Sequence, residues 1–486
     1  MSRLSKRLWI NIVLALCWVG IVMSSTTTQV AKTTIPIPNH FQNVKVLRVL
    51  DARNHIVQEE IGIRAKNIAE TPVSEYYYTI PASIEQHVAS ITAFLRKQQK
   101  ISLTIEKAGF DSEKEIQLYK VILDQPLQPQ EDIRLGIHIS YTHVLKPLPA
   151  KIPQVARQLL LYRGNVYLYS PYASKEMKTT LQVPTALIVS FTGGDGLVQQ
   201  KGNKLVYGPL NDLEPYAYHE LQCHFESLGP LITVTNLERD LQVSHWGNNL
   251  AVEEHYTVRN DGAGLDDNFN RAQYMRSAPV HGSTNMLKEI SLELPVGASD
   301  AYFRDEIGNV STSHFRNERT RSLLEIKPRY PVFGGWTYNW YHGYNVKLRS
   351  FLRYQKSTGD YILNVNFVDN AKNMAIDKAR VRIVLPEGAT DVKIYPNMDL
   401  DYVQEGKHFT NFDSTGRYEI ILEKKNVVYE HQKPIQITYK YPTYRLLQKP
   451  LVVSASLLSL FVLSIIVSKL PFSINDTKQK SNLKKE

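Results

Sequence analysis

The sequence predicts a mainly β fold, with two β-sandwich-like domains followed by a single C-terminal transmembrane helix. Three observations favour this fold class. Apolar and polar residues alternate along many short segments, two of these segments resemble each other, and one uncharged apolar run lies close to the C-terminus. Period-two alternation is typical of half-buried strands, and an apolar run of about 18 residues or more is typical of a membrane span.

The chain begins with a segment typical of a secretory signal peptide. Three basic residues in MSRLSKR precede the apolar run Leu8–Met23, and small residues follow from Ser24. A basic region, a short apolar region and a small-residue exit are the three parts of such a peptide. We therefore predict a signal peptide over residues 1–24. The alternative is an uncleaved anchor.

The predicted strands are short segments with an apolar residue at every second position. They include Ile133–Tyr141, Leu250–Val258 with Glu254 as an exception, Ile290–Leu294, Tyr361–Phe367 and Ile435–Tyr441. Proline and glycine turns bound them, and no long segment of helical period competes with them. Many short strands between such turns are typical of β-sandwiches.

Two stretches of the chain resemble each other. HIVQEEIGIRAKN (His55–Asn67) and NLAVEEHYTVRND (Asn249–Asp261) both run strand, Glu-Glu, strand, basic residue and turn. Strands stopped by proline also recur along the chain. We therefore predict two related domains, residues 25–230 and 231–449, joined near Gly229-Pro230. The alternative is that the likeness is ordinary β-patterning.

The apolar run near the C-terminus predicts a transmembrane helix over residues 450–468. Leu451–Ser468 carries no charge, and a helix of this length spans about 27 Å, close to the hydrocarbon thickness of a bilayer. The alternative is a buried core helix. The segment 469–486 holds five lysines against two acids, which indicates a cytosolic tail. We therefore expect a single-pass type I protein with most of its chain on the lumenal side.

Net charge and cysteine content limit the possible functions. Of the formal charge of +10, the signal region and the tail supply about +3 each, so the lumenal part is nearly neutral for its size. This balance gives no reason to expect nucleic-acid binding. Cys17 lies in the signal peptide, so Cys223 is expected to be unpaired and the fold to depend on its core rather than on disulfides.

Three carboxylate pairs are the first candidates for chemistry. Glu59-Glu60 and Glu253-Glu254 are neighbours on predicted strands, where they point to opposite faces, which is poor geometry for paired acid and base work. The third pair, Asp305-Glu306, lies near His314, and we expect it in a solvated turn. No catalytic residue is assigned from these pairs.

Metal and phosphate sites are also unsupported by the sequence. The stretch His219–Phe225, HELQCHF, lacks the H-E-x-x-H spacing and alternates like a strand. His138 and His143 have no third ligand nearby. Gly193–Gly196, GGDG, is followed by no Lys-Ser/Thr, so a turn is expected. We predict no metal and no cofactor.

Two surface features remain. Asn309-Val310-Ser311 is the one N-x-S/T triplet on the predicted lumenal side, so Asn309 is the predicted glycosylation site, whereas Asn475 falls in the predicted tail. Tyrosines cluster in Tyr167–Tyr172 and Gly334–Tyr344. Such aromatic clusters either bind sugars and partner proteins or pack in the core, and both readings are open.

Several long strings resemble one family. YRGNVYLYSPYASKEMKT, TNLERDLQVSHWGNNLAVEE, AYFRDEIGNVSTSH, PVFGGW and IVLPEGA are similar, in this order, to ribophorin I, the large type I membrane subunit of the oligosaccharyltransferase complex. The short tail resembles fungal members, and animal members continue into a long cytosolic region associated with ribosomes. Ribosome docking is therefore not expected here.

The resemblance implies a non-catalytic accessory subunit of the endoplasmic reticulum membrane. Its partners would be the other subunits, including the multi-spanning catalytic one, with nascent polypeptides as possible further contacts. It also implies that Asn309 bears a glycan. Two alternatives are a lumenal hydrolase related to the β-domains of zinc peptidases, disfavoured by the missing H-E-x-x-H, and a free-standing membrane-anchored lumenal chaperone or lectin.

Overall fold

The structure is a computed structural model that describes residues 35–96, 100–194, 196–277, 284–370, 373–410 and 413–470. Strands hold most of these residues, and one long apolar helix follows them. The predicted fold class, mainly β with a C-terminal apolar helix, is confirmed. The predicted signal peptide, Asn475 and most of the predicted tail lie outside the described residues.

The strands before residue 230 form what we call the N-terminal half. They are β1 (Phe41–Asp51), β2 (Val57–Asn67), β3 (Val73–Pro81), β4 (Val88–Arg96), β5 (Lys100–Asp111), β6 (Ile116–Leu127), β7 (Asp132–Tyr141), β8 (Leu145–Pro147), β9 (Lys151–Ile152), β10 (Leu159–Asn165), β11 (Ser174–Gln182), β12 (Ile188–Phe191), β13 (Val198–Lys201), β14 (Lys204–Leu213) and β15 (Glu220–Glu226). The stretch predicted as a strand around Cys223 is therefore β15.

The strands after residue 230 form the C-terminal half. They are β16 (Ile232–Ser244), β17 (Asn249–Asn260), β18 (Gly264–Leu265), β19 (Met286–Leu287), β20 (Ile290–Leu294), β21 (Ser299–Asp305), β22 (His314–Asn317), β23 (Ser322–Ile326), β24 (Val332–Phe333), β25 (Thr337–Lys347), β26 (Leu352–Gln355), β27 (Asp360–Asn366), β28 (Ala375–Val384), β29 (Thr390–Pro396), β30 (Tyr402–His408), β31 (Arg417–Val427) and β32 (Pro434–Lys440).

Three α-helices lie in the described residues: α1 (Ala82–Glu85), α2 (Arg271–Ser277) and α3 (Gln448–Lys469). A 3₁₀ turn, Thr443–Leu447, leads directly into α3. Together they form an apolar segment long enough to cross a membrane, and none of its most apolar stretch is buried in the protein. A core helix would be covered by other elements, so this exposure excludes the alternative of a buried core helix.

The largest sheets of the two halves share one strand order. In the N-terminal half the order β13-β14-β11-β1-β2-β7-β4 continues into β5-β6-β3, and in the C-terminal half it is β30-β31-β28-β16-β17-β25-β21. Each sheet has one parallel pair at the same place, β1 with β11 and β16 with β28. The smaller sheets β12-β15-β10-β8 and β29-β32-β27-β26 also correspond strand for strand.

Each half buries its own core between a large and a small sheet. In the N-terminal half, Leu50 and Ile61 of the large sheet share one apolar cluster with Phe225 of the small sheet. In the C-terminal half, Val381 of the large sheet and Ile437 of the small sheet likewise share one apolar cluster. Two sheets that pack face to face over one core form a β-sandwich.

The two resembling stretches lie at equivalent places in the two large sheets. Their equivalent residues differ by one position from those that the aligned sequence strings pair. They form β2 and β17, each the second strand of a hairpin. Side by side, the strings match Asn67 to Asp261, but in the structure Asn67 and Asn260 end their strands and are both fully buried. The two-domain boundary near Gly229-Pro230 stays a prediction.

Polar contacts and a short strand pair join the halves. Strands β9 and β18 pair in parallel. Glu430 accepts hydrogen bonds from Gln58 at 3.1 Å and Ser140 at 2.8 Å, and the ring of His143 bonds Asp377 at 2.7 Å. The halves therefore meet through specific side chains.

Candidate glycosylation site and buried polar clusters

Asn309 lies in an exposed turn between β21 and β22. Asn309 and Ser311 of the predicted triplet are exposed. Arg304 donates a hydrogen bond to Asn309 Oδ1 at 2.9 Å, whereas a glycan attaches through the other side-chain atom, Nδ2. The turn thus presents the asparagine to solvent with its acceptor oxygen already held.

The turn is organised by Asp305, which is buried rather than solvated. The backbone N–H groups of Ile307 and Gly308 each donate to Asp305 Oδ1 at 3.0 Å. Arg329 forms an ion pair with the same carboxylate, and the Tyr338 hydroxyl donates to it at 3.2 Å. The expectation of a solvated carboxylate is therefore wrong for Asp305, because its partner Arg329 lies on a distant loop.

These contacts keep Asp305 ionised. Burial raises its pKa, but the hydrogen bonds from Arg329 and the turn amides outweigh burial, so the pKa lies below its ordinary value. Glu306 is exposed, as expected, and accepts a hydrogen bond from Asn339 at 2.7 Å, and His314 is exposed on β22. Asp305 is therefore an anion that holds a turn in place.

The two strand carboxylate pairs point to opposite faces, as the alternation predicts. Glu59 and Glu254 are buried, whereas Glu60 is exposed and Glu253 half-buried. Each buried carboxylate meets a buried arginine: Glu59 pairs with Arg48, and Glu254 lies 3.3 Å from Arg239. Neither arginine was predicted from the sequence, although a charged residue at an apolar position of a strand is the signal that both carry.

The remaining candidates have structural roles. Cys223 is fully buried on β15 as a free thiol, and burial raises its pKa to about 12. His138 is on β7 opposite Glu60, and His143 contacts Asp377 and Asp261 at the junction of the halves. Among the described residues, no group of three or more His, Cys, Asp and Glu side chains is arranged to hold a metal.

The tyrosine-rich stretch of β25 packs in the core. Tyr338, Trp340 and Tyr344 are buried, and Trp340 stacks on Tyr256 with ring centroids 4.9 Å apart. In the other cluster Tyr172 is buried, and Tyr167 and Tyr169 are partly exposed. Core packing therefore accounts for half of the aromatic residues in the two clusters, and the others are partly exposed.

Comparison with known proteins identifies the relatives of this chain. The family described as Ribophorin I matches residues 41–468. Dolichyl-diphosphooligosaccharide–protein glycosyltransferase subunit 1A of Arabidopsis thaliana is 31% identical over 438 residues, covering 89% of this chain and 70% of that protein. Subunit 1B of Oryza sativa is 31% identical (87% and 90% covered), and subunit 1 of Caenorhabditis elegans is 30% identical (89% and 73%).

Two solved structures show a distant likeness. Native yeast LTA4 hydrolase is 10% identical, with a TM-score of 0.26, covering 46% of this chain and 35% of that one. The M1 zinc metallopeptidase of Deinococcus radiodurans is 12% identical, with a TM-score of 0.23, covering 43% and 48%. Likeness at this level carries no functional argument. The match over residues 41–468, together with relatives of about 30% identity along most of the chain, shows that the chain belongs to the ribophorin I family.

Proposed function

We propose that this chain is a non-catalytic accessory subunit of the oligosaccharyltransferase complex of the endoplasmic reticulum. In that role it supports transfer of a preassembled glycan from dolichol pyrophosphate to Asn-x-Ser/Thr of nascent polypeptides. The observation that carries the proposal is the family match over residues 41–468. The relatives of this chain are named as subunit 1 of this glycosyltransferase.

The accessory role is supported by what the reactive side chains contact. Asp305 is held by Arg329, and Glu59 and Glu254 are held by buried arginines. A general acid or base has to reach a substrate, and these carboxylates are enclosed by their partners. A thiol with a pKa of about 12 is not a thiolate nucleophile at neutral pH.

The proposed topology puts both halves in the lumen, with α3 crossing the membrane as the one span of a type I protein. The uncovered helix and the lysine-rich segment after it support this orientation. Asn309 would then face the compartment in which asparagines are glycosylated, and Asn475 would face the cytosol.

Purification of the tagged full chain in a mild detergent tests the proposal. An oligosaccharyltransferase subunit is expected to bring a multi-spanning glycosyltransferase subunit with it in stoichiometric amount. Recovery of the chain alone, or with lumenal client proteins only, would contradict subunit membership and favour a free-standing chaperone or lectin.

The same preparation tests the absence of catalytic residues. Glu306→Ala and His314→Ala are expected to leave glycan transfer within a few-fold of the unmodified complex, because both side chains are exposed and distant from the core. Loss of a true general acid or base costs about 10²–10⁴-fold. A loss of that size in a normally assembled complex would refute the accessory role.

We further propose that the serine-bearing face of α3 contacts helices of other subunits. Ser456 and Ser459 donate to Val452 O and Ala455 O of their own helix at 2.8 Å, so they enter lipid without unsatisfied hydroxyls. Small residues let helix backbones approach closely in lipid.

Replacement of these serines tests the helix contact. The double variant Ser456→Leu/Ser459→Leu is expected to insert normally but to release the chain from the complex in detergent. Ser454→Leu is the matched control, because about 100° per residue puts Ser454 on the opposite face. Undiminished co-purification of the double variant would leave α3 as a plain anchor.

A further inference from the structure

The start of α3 is fixed to the C-terminal half by two hydrogen bonds, and a third joins α3 to the turn before it. Gln448 donates to Ser414 Oγ at 2.6 Å, and Lys449 donates to the buried carboxylate of Asp413 at 2.6 Å. Arg445, in the 3₁₀ turn, donates to Gln448 at 2.9 Å. The bonds of Gln448 and Lys449 join the helix to the sandwich. The surface around them therefore lies at a fixed height above any membrane that α3 enters.

A cleft of about 380 Å³ opens at this height. Its walls are the tip of the β16–β17 hairpin, which carries Trp246, and the segment from Arg445 to Lys449. Glu387 and Arg417 also line it. Since Lys449 is only the second residue of α3, the cleft lies beside the point where the apolar helix begins.

Aromatic and apolar side chains are exposed on the hairpin wall of the cleft and in the turn that leads into the helix. Trp246 is 61% exposed, Tyr444 is 67% exposed and Leu447 is 59% exposed. Single exposed apolar residues are common on soluble proteins, but these adjoin a helix whose own apolar residues are uncovered. Trp and Tyr are enriched at the boundary between lipid and water, because one end of each side chain is apolar and the other polar.

The charges that line the cleft, together with the adjacent Asp413, leave one cation in excess. Asp413 is shared by Arg417 and Lys449, and Glu387 accepts hydrogen bonds from the backbone and hydroxyl groups of the 414–415 turn. Arg445 contacts a neutral amide and lies over the Tyr444 ring at 5.6 Å, and no described carboxylate lies within ion-pair distance of it. A guanidinium in this position suits a phosphate, which it can bind through two parallel hydrogen bonds.

We propose that this cleft binds the phosphate-bearing headgroup of a phospholipid in the leaflet next to the folded halves. Arg445 contacts the phosphate, and Trp246 enters the boundary between headgroups and acyl chains. The hairpin tip and α3 then give the C-terminal half two attachments to the bilayer. The inference requires α3 to enter a membrane but does not depend on membership of the complex.

Tryptophan quenching tests this contact on the full chain. The protein is placed in nanodiscs of phosphatidylcholine whose acyl chains are brominated close to the headgroup. We expect quenching in the unmodified chain and its loss in Trp246→Phe. The matched control Trp336→Phe, which removes a tryptophan packed against Phe333 in the sandwich, should keep the quenching. Absence of quenching in the unmodified chain, or equal quenching in both variants, overturns the proposal.

A charge variant separates phosphate binding from simple proximity to lipid. Arg445→Gln keeps a hydrogen-bond donor but removes the excess charge, so quenching of Trp246 should fall by half or more in phosphatidylcholine. In nanodiscs of a brominated galactolipid, which carries no phosphate, the same variant should behave like the unmodified chain. An equal loss in both lipids, or no loss in either, overturns the role of Arg445.

The assembled complex decides between lipid and protein as the occupant. A photoreactive residue at the hairpin tip, Trp246→benzoylphenylalanine, is irradiated in the purified complex in nanodiscs. Phospholipid adducts at position 246 support the proposal. Adducts with another polypeptide as the main product would mean that a neighbouring subunit fills the cleft, and would overturn it.

Discussion

Arg48 in the N-terminal half and Arg239 in the C-terminal half occupy the same place in two matching sheets, but different carboxylates face them. Each arginine lies on the first strand of its half, five residues after the position where the pairing register of the hairpin shifts, Asn43 and Val234 respectively. Both side chains are almost completely buried. The fold therefore fixes the position of the cation, whereas the anions come from different positions.

The N-terminal cluster contains one carboxylate. Arg48 pairs with Glu59 and also donates to the backbone oxygens of Asn165 and Tyr167. The second oxygen of Glu59 accepts from the Tyr141 hydroxyl at 2.7 Å. One buried cation and one buried anion are thus neutralised and hydrogen-bonded, the condition under which a buried ion pair is tolerated.

The C-terminal cluster contains two carboxylates around one arginine. Arg239 pairs with Asp369 and lies 3.3 Å from Glu254. Glu254 also accepts from the Tyr256 hydroxyl at 2.8 Å and lies 3.3 Å from a ring nitrogen of His342. Because two anions depend on Arg239, we infer that the C-terminal half is the more sensitive to loss of its arginine and to acid.

Removal of the arginines should have the largest effect on the free energy of unfolding. Arg239→Met leaves Glu254 and Asp369 buried without their cation, and such uncompensated burial costs about 3–5 kcal/mol. Arg48→Met leaves only Glu59 buried without its cation. The loss of unfolding free energy should therefore fall at the lower end of that range. Hydrogen exchange followed by mass spectrometry measures both halves separately, through peptides from β2 and β17.

A double variant sharpens this comparison. Arg239→Met/Glu254→Gln removes one of the two stranded charges and should recover part of the lost stability. An equal loss in both halves, or no recovery in the double variant, would show that the number of carboxylates does not set the cost.

Acid should weaken the C-terminal half by a smaller amount. Burial raises the pKa of Glu254, but the Arg239 charge, the nearby His342 ring and the hydrogen bond from Tyr256 outweigh burial and lower the pKa to about 2. A folded-state pKa below the unfolded value stabilises the fold above about pH 4.5, and this contribution, about 3 kcal/mol, is lost as the pH falls from 4.5 to 2.

Fluorescence can follow that loss in one half. Trp246, Trp336 and Trp340, the tryptophans of the described residues, all lie in the C-terminal half, and Trp340 stacks on Tyr256. Urea unfolding monitored by tryptophan emission should show falling stability between pH 4.5 and 2. In Glu254→Gln this part of the pH dependence should disappear, and its persistence would assign it to another group.

The sequence predicted the sheets well because strand alternation is a local property. Leu250, Val252, Tyr256 and Val258 are buried along β17, as the pattern indicates. The exception in that pattern, Glu254, was recognised but not explained, because its partners Arg239 and Asp369 lie on other strands and loops. Burial of a charge depends on such distant contacts, which a single sequence does not reveal.

The solvated reading of Asp305 failed for the same reason. A polar stretch with glycine is typical of an exposed turn, and Gly308 does adopt a φ of +135° there. The contact that buries Asp305 comes from Arg329, 24 residues further along the chain. The sequence alignment of the two repeated stretches was wrong by one residue because it superimposed their Glu-Glu pairs. The buried member is the first glutamate, Glu59, in one stretch and the second, Glu254, in the other.

Two asparagines at equivalent strand ends should have similar, moderate effects. Asn67 donates to Thr71 O and Leu127 O and accepts from the backbone N–H of Ala69. Asn260 makes the same three bonds, with Asn285 O, Val332 O and the N–H of Gly262. Both therefore tie the end of a strand to the loops beside it.

We expect Asn67→Ala and Asn260→Ala each to cost about 1–3 kcal/mol, because each leaves buried backbone groups unsatisfied. Hydrogen exchange of the peptides that contain each asparagine measures the two losses in their own halves. Costs that differ by more than about 1 kcal/mol would contradict the equivalence of these two positions. The halves would then differ at their strand ends as well as in their arginine clusters.

The smallest effect on stability is expected at Asn309, where the halves differ most in their connections. Strands β4 and β5 pair directly in the N-terminal half, whereas β21 and β22 lie in different sheets, with the Asp305–Ser313 turn between them. The turn depends on Asp305 and Arg329 rather than on the exposed Asn309 side chain.

Asn309→Gln should therefore change the free energy of unfolding by less than about 0.5 kcal/mol, as is usual for exposed positions. The same variant should remove the one endoglycosidase-sensitive mobility shift of the chain, and Ser311→Ala should do so as well. Ser313→Ala, just outside the triplet, is the matched control and should keep the shift. A shift that survives Asn309→Gln would mean that Asn475 or another asparagine is glycosylated, and would contradict the assignment of Asn475 to the cytosolic side.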